Sequence, residues 1–317
     1  MSSKAILTIE NLQVDVGDKP VIEGISLSIA PGEMLGLVGE SGCGKSVTAL
    51  CIMRLLDEPP MHVRKGRIVF DGIDIFSLDI KSLEALRGNQ VAMIFQEPMT
   101  SLNPVFSVGD QIGEVILLHR DVDKNAADKE VIKLLERVGI PAPESAMGRF
   151  PHQLSGGQRQ RVMIAMALAC NPKLLIADEP TTALDVTVQA QILDLLDDLR
   201  RQNDMAVLLI THDLGVVSQY CDRVAVMYGG QIVEEAPSQK LFAAPKHRYT
   251  EALLRTIPSA NEPGKELPAI SGSVPLPGAR PSGCTFHPRC GHTLEKCTDQ
   301  TPDLTGATHQ YRCWSPA

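Results

Sequence analysis

The sequence predicts an α/β protein whose central sheet is largely parallel. Helical periodicity alternates with continuous apolar runs, most clearly over 156–170 and 187–201. Because strands that alternate with helices form parallel sheets, we expect the ends of these strands to meet at one edge. The runs that predict buried strands are MLGLVG (34–39), VAMIF (91–95), KLLIADEP (173–180) and MAVLLITHD (205–213).

The N-terminal part of the chain predicts a second, antiparallel sheet. Residues 5–30 alternate apolar and polar side chains, which is typical of edge strands. RIVFDGIDI (67–75) predicts a hairpin that turns at Asp71-Gly72. Between these segments, residues 46–56 have the pattern of a helix.

The remaining segments predict helices and then an irregular tail. Helical periodicity runs over 107–139 and stops at the Gly-Ile-Pro of 139–141. From about residue 256, Pro and Gly become frequent and the periodicity fades. This change in composition predicts a linker or an irregularly folded tail.

Composition, charge and apolar patterning argue against three classes of protein. The 317 residues carry a net charge of −8 and no Lys/Arg block, so nucleic-acid binding is not expected. The N-terminus, MSSKAILTIE, lacks the apolar core of a secretory signal. The longest apolar run, VMIAMALAC (162–170), is far shorter than the roughly 20 residues that span a bilayer. We therefore expect a soluble chain that reaches any membrane through a partner.

A phosphate-binding motif follows the first buried strand. GESGCGKS (39–46) matches G-x-x-x-x-G-K-[ST] between a predicted strand and a predicted helix. Backbone N–H groups of such a turn and the helix N-terminus attract phosphate, while Lys45 is expected to reach the β- and γ-phosphates and Ser46 to bind Mg²⁺. The candidate nucleotide-binding residues are Gly39, Glu40, Ser41, Gly42, Cys43, Gly44, Lys45 and Ser46.

Polar side chains at the ends of three other predicted strands complete the candidate site. We expect Asp178 to hold Mg²⁺ and Glu179 to polarise the attacking water. Gln96 and His212 follow two further strands, so we interpret both as γ-phosphate contacts, with Gln96 also a candidate Mg²⁺ ligand.

A second glycine-rich motif, LSGGQ (154–158), indicates a family. In order with GESGCGKS, Gln96, LLIADE, ALD (183–185) and His212, it resembles the ATP-binding subunit of an ABC transporter over roughly residues 5–255. The resemblance implies an ABC-type P-loop ATPase with a RecA-like core and an antiparallel β subdomain. It places a helical subdomain at about 97–160 within a domain of residues 1–255, and an irregular Cys-rich extension at 256–317.

The resemblance also implies a mechanism shared between two ATPase domains. Two such domains would enclose two ATP molecules, with Asp185 at the dimer seam. Gln96 would link the nucleotide to transmembrane subunits, and Glu179 and His212 would be catalytic. The residues that would bind the γ-phosphate of the partner's ATP, at the N-terminus of a helix, are Ser155, Gly156, Gly157 and Gln158.

One position departs from the family pattern. Val16 stands where the family usually has an aromatic residue that stacks on adenine. An aliphatic surface there weakens the inference of a strict preference for ATP over GTP.

Four stretches narrow the resemblance to bacterial dipeptide, oligopeptide and nickel importers. They are EPMTSLNPVFSVGDQIGE (97–114), RFPHQLSGGQRQRV (149–162), KHRYTEALLRTIP (246–258) and GCTFHPRC (283–290). The resemblance implies an ATPase that powers peptide import, or alternatively import of nickel or another small solute. A soluble ABC ATPase outside transport is the less favoured alternative.

The same resemblance implies an assembly. Its parts would be two membrane permeases, a second ATPase subunit that is a different chain or another copy, and a solute-binding protein that acts indirectly. The subunit would be peripheral, on the cytoplasmic face of the bacterial inner membrane.

Four cysteines cluster near the C-terminus, and three interpretations of them compete. The absent export signal disfavours disulfides. Zinc sites usually contain a short C-x₂₋₄-C pair, which is absent here, although histidines are available. The family resemblance favours a [4Fe–4S] cluster, with a structural role preferred over redox or iron sensing. The proposed ligands are Cys284, Cys290, Cys297 and Cys313.

Overall fold

The structure is a computed structural model that describes residues 5–96, 101–182, 184–257 and 268–317. Three predictions extend beyond these ranges: residues 97–100 of the EPMTSLNP stretch, Ala183 of ALD, and the tail before residue 268. The chain forms two compact units and passes between them several times, the last time within strand β8 (Ala206–Thr211). The first unit comprises Met1–Ile6, Ala30–Gly32 and Ser77–Leu208, and the second comprises Leu7–Ile29, Glu33–Phe76 and Leu209–Ala317.

The second unit contains the predicted antiparallel sheet, with the order β2-β1-β4-β5. Apolar side chains on one face of β1 are fully buried, as the alternation predicts. The hairpin turns at Asp71 and Gly72, whose φ values of 47° and 85° suit a turn that follows strand twist. The strands are β1 (Leu7–Val16), β2 (Lys19–Ile29), β4 (Met61–Phe70) and β5 (Ile73–Asp74).

The same unit contains a mixed group of strands around β3 (Met34–Val38). Strand β3 is parallel to β9 (Arg223–Tyr228), which is antiparallel to β10 (Gln231–Pro237). Strand β11 (Gln310–Tyr311) from the tail pairs with β10, so the tail is built into this unit. The helices of the unit are α1 (Lys45–Met53), α8 (Leu214–Tyr220), α9 (Ser238–Ala243) and α10 (Arg248–Arg255).

The first unit combines parallel strands with capped helices. Strands β6 (Val91–Ile94) and β7 (Leu174–Asp178) pair in parallel, which agrees with the largely parallel sheet that the sequence predicts. The predicted helical stretch 107–139 is two helices, because extended backbone at Arg120 ends α3 and the Asp123 side chain caps α4. The helices are α2 (Ile80–Leu86), α3 (Val108–His119), α4 (Lys124–Arg137), α5 (Pro143–Ala146), α6 (Gly156–Leu168) and α7 (Val186–Asn203).

Outside its short strand, the described part of the tail is irregular. Two 3₁₀ turns, His287–Arg289 and Glu295–Cys297, interrupt it. In the described ranges, no helix has both the length and the apolar composition that a membrane span requires. The division into residues 1–255 and 256–317, with a helical subdomain at about 97–160, stays a prediction.

Candidate nucleotide-binding and hydrolysis site

The phosphate-binding loop connects β3 to α1 in the predicted strand–loop–helix context. Gly39, Gly42 and Gly44 have φ values of 153°, 80° and 110°, which L side chains rarely adopt. A Cβ atom on Gly39 would lie 2.1 Å from the carbonyl oxygen of Met227, so the loop requires glycine there. Among the described residues, no side chain caps α1, whose first N–H groups therefore face the loop's anion site.

Lys45 is buried beneath this loop. Its Nζ atom donates hydrogen bonds to the carbonyl oxygens of Gly39 at 2.7 Å and Glu40 at 3.1 Å. The lysine side chain is thus held against the loop backbone, with its charge at the place where the motif requires it. Ser46, the candidate Mg²⁺ ligand, follows Lys45 in the first turn of α1.

Buried aromatic side chains support the loop from the C-terminal part of the second unit. The Tyr249 hydroxyl accepts a hydrogen bond from the Glu40 backbone N–H at 2.9 Å. Tyr249 packs on Tyr228 and Phe286, with ring centroids 4.5 and 5.3 Å away. Sequence reasoning did not assign a role to these residues, although Tyr249 and Phe286 lie in the HRYTEALL and GCTFHPRC stretches that it singled out.

In the first unit, the structure brings Gln96 and Glu179 together. The Gln96 side-chain amide donates a hydrogen bond to Glu179 Oε2 at 3.1 Å, and the Thr182 hydroxyl donates to the same oxygen at 3.0 Å. Glu179 has a φ of 48°. This left-handed conformation is uncommon for residues other than glycine, and it turns the chain away from β7. Two donors therefore orient the candidate base, and nothing in the sequence pattern singled out Thr182.

Asp178 is 4% exposed and lies at the buried end of β7, directly before Glu179. Asp178 and Gln96 offer carboxylate and amide oxygens, which are ligand types that Mg²⁺ prefers, so these two residues suit the predicted metal. The third predicted ligand, Ser46, belongs to the second unit and offers a hydroxyl. His212 directly follows β8 and is exposed, as expected of a residue that contacts a ligand.

The LSGGQ motif forms the start of α6. The Ser155 hydroxyl accepts a hydrogen bond from Gln158 N–H at 3.3 Å, and Gln158 Oε1 accepts one from Ser155 N–H at 3.1 Å. This pair of hydrogen bonds is a capping box. Gly156 and Gly157 form the first turn of the helix, and this exposed helix N-terminus can bind an anion. A Cβ on Gly157 would lie 2.9 Å from Val188 Cγ1, so glycine permits the close approach of α7.

Asp185 has a structural role that the sequence did not predict. Its Oδ1 accepts a hydrogen bond from Val188 N–H at 2.9 Å and caps α7. Val186, the next residue, is 84% exposed, so the start of α7 presents an apolar side chain to solvent.

The four C-terminal cysteines line one small cavity together with His287 and His292. Burial is the main cause that raises the pKa of Cys284 to about 11, and the nearby thiols add to it. All eight cysteines are free thiols. In the described ranges, however, no group of three or more His, Cys, Asp or Glu side chains is arranged to hold a metal ion.

Comparisons with known proteins agree with this fold and show the family of the chain. Residues 22–182 match the ABC transporter family, and residues 233–297 match the oligopeptide/dipeptide transporter C-terminal region. The dipeptide transport ATP-binding protein DppD of Haemophilus influenzae is 48% identical, covering 98% of this chain and 96% of the relative. The oligopeptide transport ATP-binding protein AppD of Bacillus subtilis is 51% identical, covering 90% and 87%.

Two solved structures have the same fold. One is cbiO1 from Clostridium perfringens, part of the ABC transporter complex cbiONQ, with a TM-score of 0.66, 30% identity, and coverage of 76% of this chain and 92% of that chain. The other is the ATP-binding cassette MJ0796 as a dimer with ADP and Pi, with a TM-score of 0.65, 27% identity, and coverage of 73% and 98%.

The chain belongs to the ABC transporter family, and it is an ABC ATPase of the class coupled to transport. More particularly, it carries the C-terminal region of the oligopeptide/dipeptide transporters, which defines its branch of that family.

Proposed function

We propose that this chain binds and hydrolyses ATP to power the import of dipeptides or oligopeptides through an ABC transporter. The observation that carries the proposal is the oligopeptide/dipeptide-type C-terminal region at residues 233–297. Tyr249 of this region accepts a hydrogen bond from the backbone N–H of Glu40 in the phosphate-binding loop. Two relatives that align with most of this chain are named as a dipeptide and an oligopeptide transport ATP-binding protein.

The ATP site uses the residues predicted from the motifs. Residues 39–46 and the N-terminus of α1 bind the phosphates, with Lys45 at the β- and γ-phosphates. Ser46, Asp178 and Gln96 hold Mg²⁺, which neutralises phosphate charge when bound. Glu179, oriented by Gln96 and Thr182, accepts a proton from the attacking water, and His212 contacts the γ-phosphate.

The second half of each site comes from a partner ATPase subunit. Ser155, Gly156, Gly157 and Gln158 bind the γ-phosphate of the ATP held by that partner, because they lie at an exposed helix N-terminus. Asp185 lies at the seam, where its side chain also fixes the start of α7. The partner is a different ATPase chain or a second copy.

Two permease subunits and a solute-binding protein complete the assembly, and the chain is peripheral on the cytoplasmic face of the membrane. Nickel and other small solutes are the alternative cargo, since the permeases and the binding protein select it. The assembly is tested by purification in detergent. Retention of two polytopic proteins on the tagged chain supports transport, and isolation of the chain alone supports a soluble ATPase.

We further propose a [4Fe–4S] cluster on Cys284, Cys290, Cys297 and Cys313. The family resemblance favours it, and all four cysteines line one small cavity, although in the described ranges no three of them are arranged to hold a metal ion. The tail has few apolar residues, which favours a structural role for the group. Iron and sulfide content after anaerobic purification tests this. We expect about four irons per chain and their loss in Cys290→Ser, with Cys221→Ser as the matched control. Stoichiometric zinc without iron would overturn the cluster in favour of zinc.

A further inference from the structure

The C-terminal tail makes a paired contact with the phosphate-binding loop. Arg289, in the 3₁₀ turn between Cys284 and Cys290, donates from Nη1 to Glu40 Oε2 at 2.7 Å and from Nη2 to Glu40 Oε1 at 2.9 Å. This is the two-point geometry in which a planar guanidinium matches a carboxylate. The Arg289 side chain is 5% exposed and that of Glu40 is 30% exposed, so solvent screens the pair incompletely.

Other groups hold the Arg289 guanidinium in this position. Its Nε atom donates to the Ser271 carbonyl oxygen at 2.8 Å, and Nη2 also donates to the Ile270 carbonyl oxygen at 3.2 Å. Nη1 donates to the Tyr228 hydroxyl at 3.3 Å, and the guanidinium carbon lies 5.7 Å from the centre of that ring. The arginine is therefore oriented before it meets Glu40, and little side-chain freedom is lost in forming the pair.

The charge on Glu40 matters because of its position in the chain. Glu40 is the second residue of the loop that binds the phosphates, and a free carboxylate there would repel a polyphosphate. Lys45 donates to the backbone carbonyl oxygen of Glu40, and no hydrogen bond from Lys45 to the Glu40 carboxylate exists among the described contacts. Because Arg289 neutralises the Glu40 carboxylate, the positive charge of Lys45 remains available to the nucleotide phosphates.

We propose that Arg289 is a positioning residue for nucleotide binding: it neutralises the Glu40 carboxylate and fixes the first turn of the phosphate-binding loop. The C-terminal extension then completes the ATP site of its own subunit. This inference rests on the proposed ATP site at residues 39–46, and it does not depend on which group the cysteines bind.

The test is a double-substitution cycle on the full chain. MgATP binding is measured by calorimetry at low and at high salt for the native protein, Arg289→Gln, Glu40→Gln and the double variant. We expect Arg289→Gln to raise the Kd about tenfold at low salt and less at high salt, since an uncompensated charge near the phosphates is screened by ions. Glu40→Gln keeps the loop backbone but removes the negative charge beside the phosphates, so it should bind MgATP more tightly than the native protein at low salt. The double variant should return to within about threefold of the native Kd, because both charges are gone.

Two further variants separate charge from folding. Arg289→Lys keeps the charge but loses the paired geometry, so we expect a Kd about threefold above native. Arg312→Met is the matched control, because Arg312 holds the tail through the carbonyl oxygens of Ile232 and Pro302. A native Kd is expected for that variant, and thermal melting verifies that each protein is folded.

The outcomes are distinct. Native MgATP affinity in Arg289→Gln overturns the inference, and so does a double variant that binds as weakly as Arg289→Gln, since the loss would then be one of packing. An equal loss in Arg312→Met overturns it as well. Failure of the native chain to bind MgATP instead overturns the proposed ATP site itself.

Discussion

The backbone N–H of Glu40 donates its hydrogen bond to the hydroxyl of Tyr249, 209 residues later in the chain, at 2.9 Å. Tyr249 is fully buried, and burial raises the pKa of its hydroxyl, so it stays protonated. The phosphate-binding loop is therefore fixed by a residue of the C-terminal part of the protein. A loop whose geometry is set before the nucleotide arrives loses less conformational entropy on binding.

Tyr249→Phe should weaken both the fold and the site. The variant leaves the Glu40 N–H without its partner, which costs about 1–2 kcal/mol in the free energy of unfolding. Urea unfolding and MgATP titration measure the two effects. Tyr311→Phe, the same substitution in β11, is the control and should change neither quantity by a comparable amount. Equal behaviour of the two variants would contradict the role of Tyr249.

Gly39→Ala should abolish nucleotide binding. The added Cβ would meet the Met227 carbonyl oxygen at 2.1 Å, and backbone at that position cannot move as a side chain can. We expect a loss of about 2 kcal/mol or more in unfolding free energy, together with no detectable MgATP binding. In the control Gly17→Ala, the added Cβ would have no described atom within 4 Å, although the backbone φ there is also positive, at 56°. This control should lose about 1 kcal/mol and keep its affinity. Normal MgATP binding by the Gly39→Ala variant would show that the loop is not so constrained.

Glu179→Gln should stop hydrolysis while nucleotide still binds. The amide cannot accept a proton from water, so kcat in the assembled complex should fall by about 100-fold or more. The affinity for ATP should change little, because the phosphates are bound by other residues. Glu136→Gln, at an exposed carboxylate in α4, is the control. Retained turnover in Glu179→Gln would exclude Glu179 as the base.

Alkaline pH should destabilise the protein in part through Cys51. Burial is the main cause that raises the pKa of this thiol to about 12, from 9.0 in an exposed chain. The protonated thiol leaves stability unchanged below about pH 9. Stability is then lost as pH rises from about 9 to about 12, because the unfolded chain ionises at a lower pH than the folded protein. The loss should be about 1.4 kcal/mol at pH 10. It is measured as the difference in pH dependence of unfolding between the native protein and Cys51→Ala. Identical pH dependence in the two proteins would contradict the raised pKa.

Local patterns in the sequence predicted the elements that build the site. The strand Met34–Val38, the loop and the helix Lys45–Met53 follow from an apolar run, a glycine-rich turn and helical periodicity, and the structure confirms them. The parallel orientation of β6 and β7 agrees with the predicted parallel sheet, although the sequence did not indicate which strands pair. In contrast, no element was predicted between residues 214 and 243, where the structure has α8, β9, β10 and α9.

Contacts that join distant parts of the chain could not be predicted in the same way. Arg289 and Glu40 are 249 residues apart, and neither the spacing nor the composition of the tail indicates that they meet. Strand β11 is two residues long, too short for an alternation pattern, and it forms because β10 offers an edge. The resemblance implies that Asp185 lies at the dimer seam, whereas its capping of α7 is evident only from the structure.

The most direct test of peptide import driven by this ATPase is uptake of a labelled peptide. The subunit is reconstituted in proteoliposomes with its permeases, its partner ATPase and the solute-binding protein, with ATP on the cytoplasmic side. We predict uptake of a labelled dipeptide or oligopeptide that requires ATP, is lost with Glu179→Gln, and is accompanied by peptide-stimulated hydrolysis. Uptake of nickel but not of peptides, or peptide uptake that survives Glu179→Gln, would contradict this mechanism.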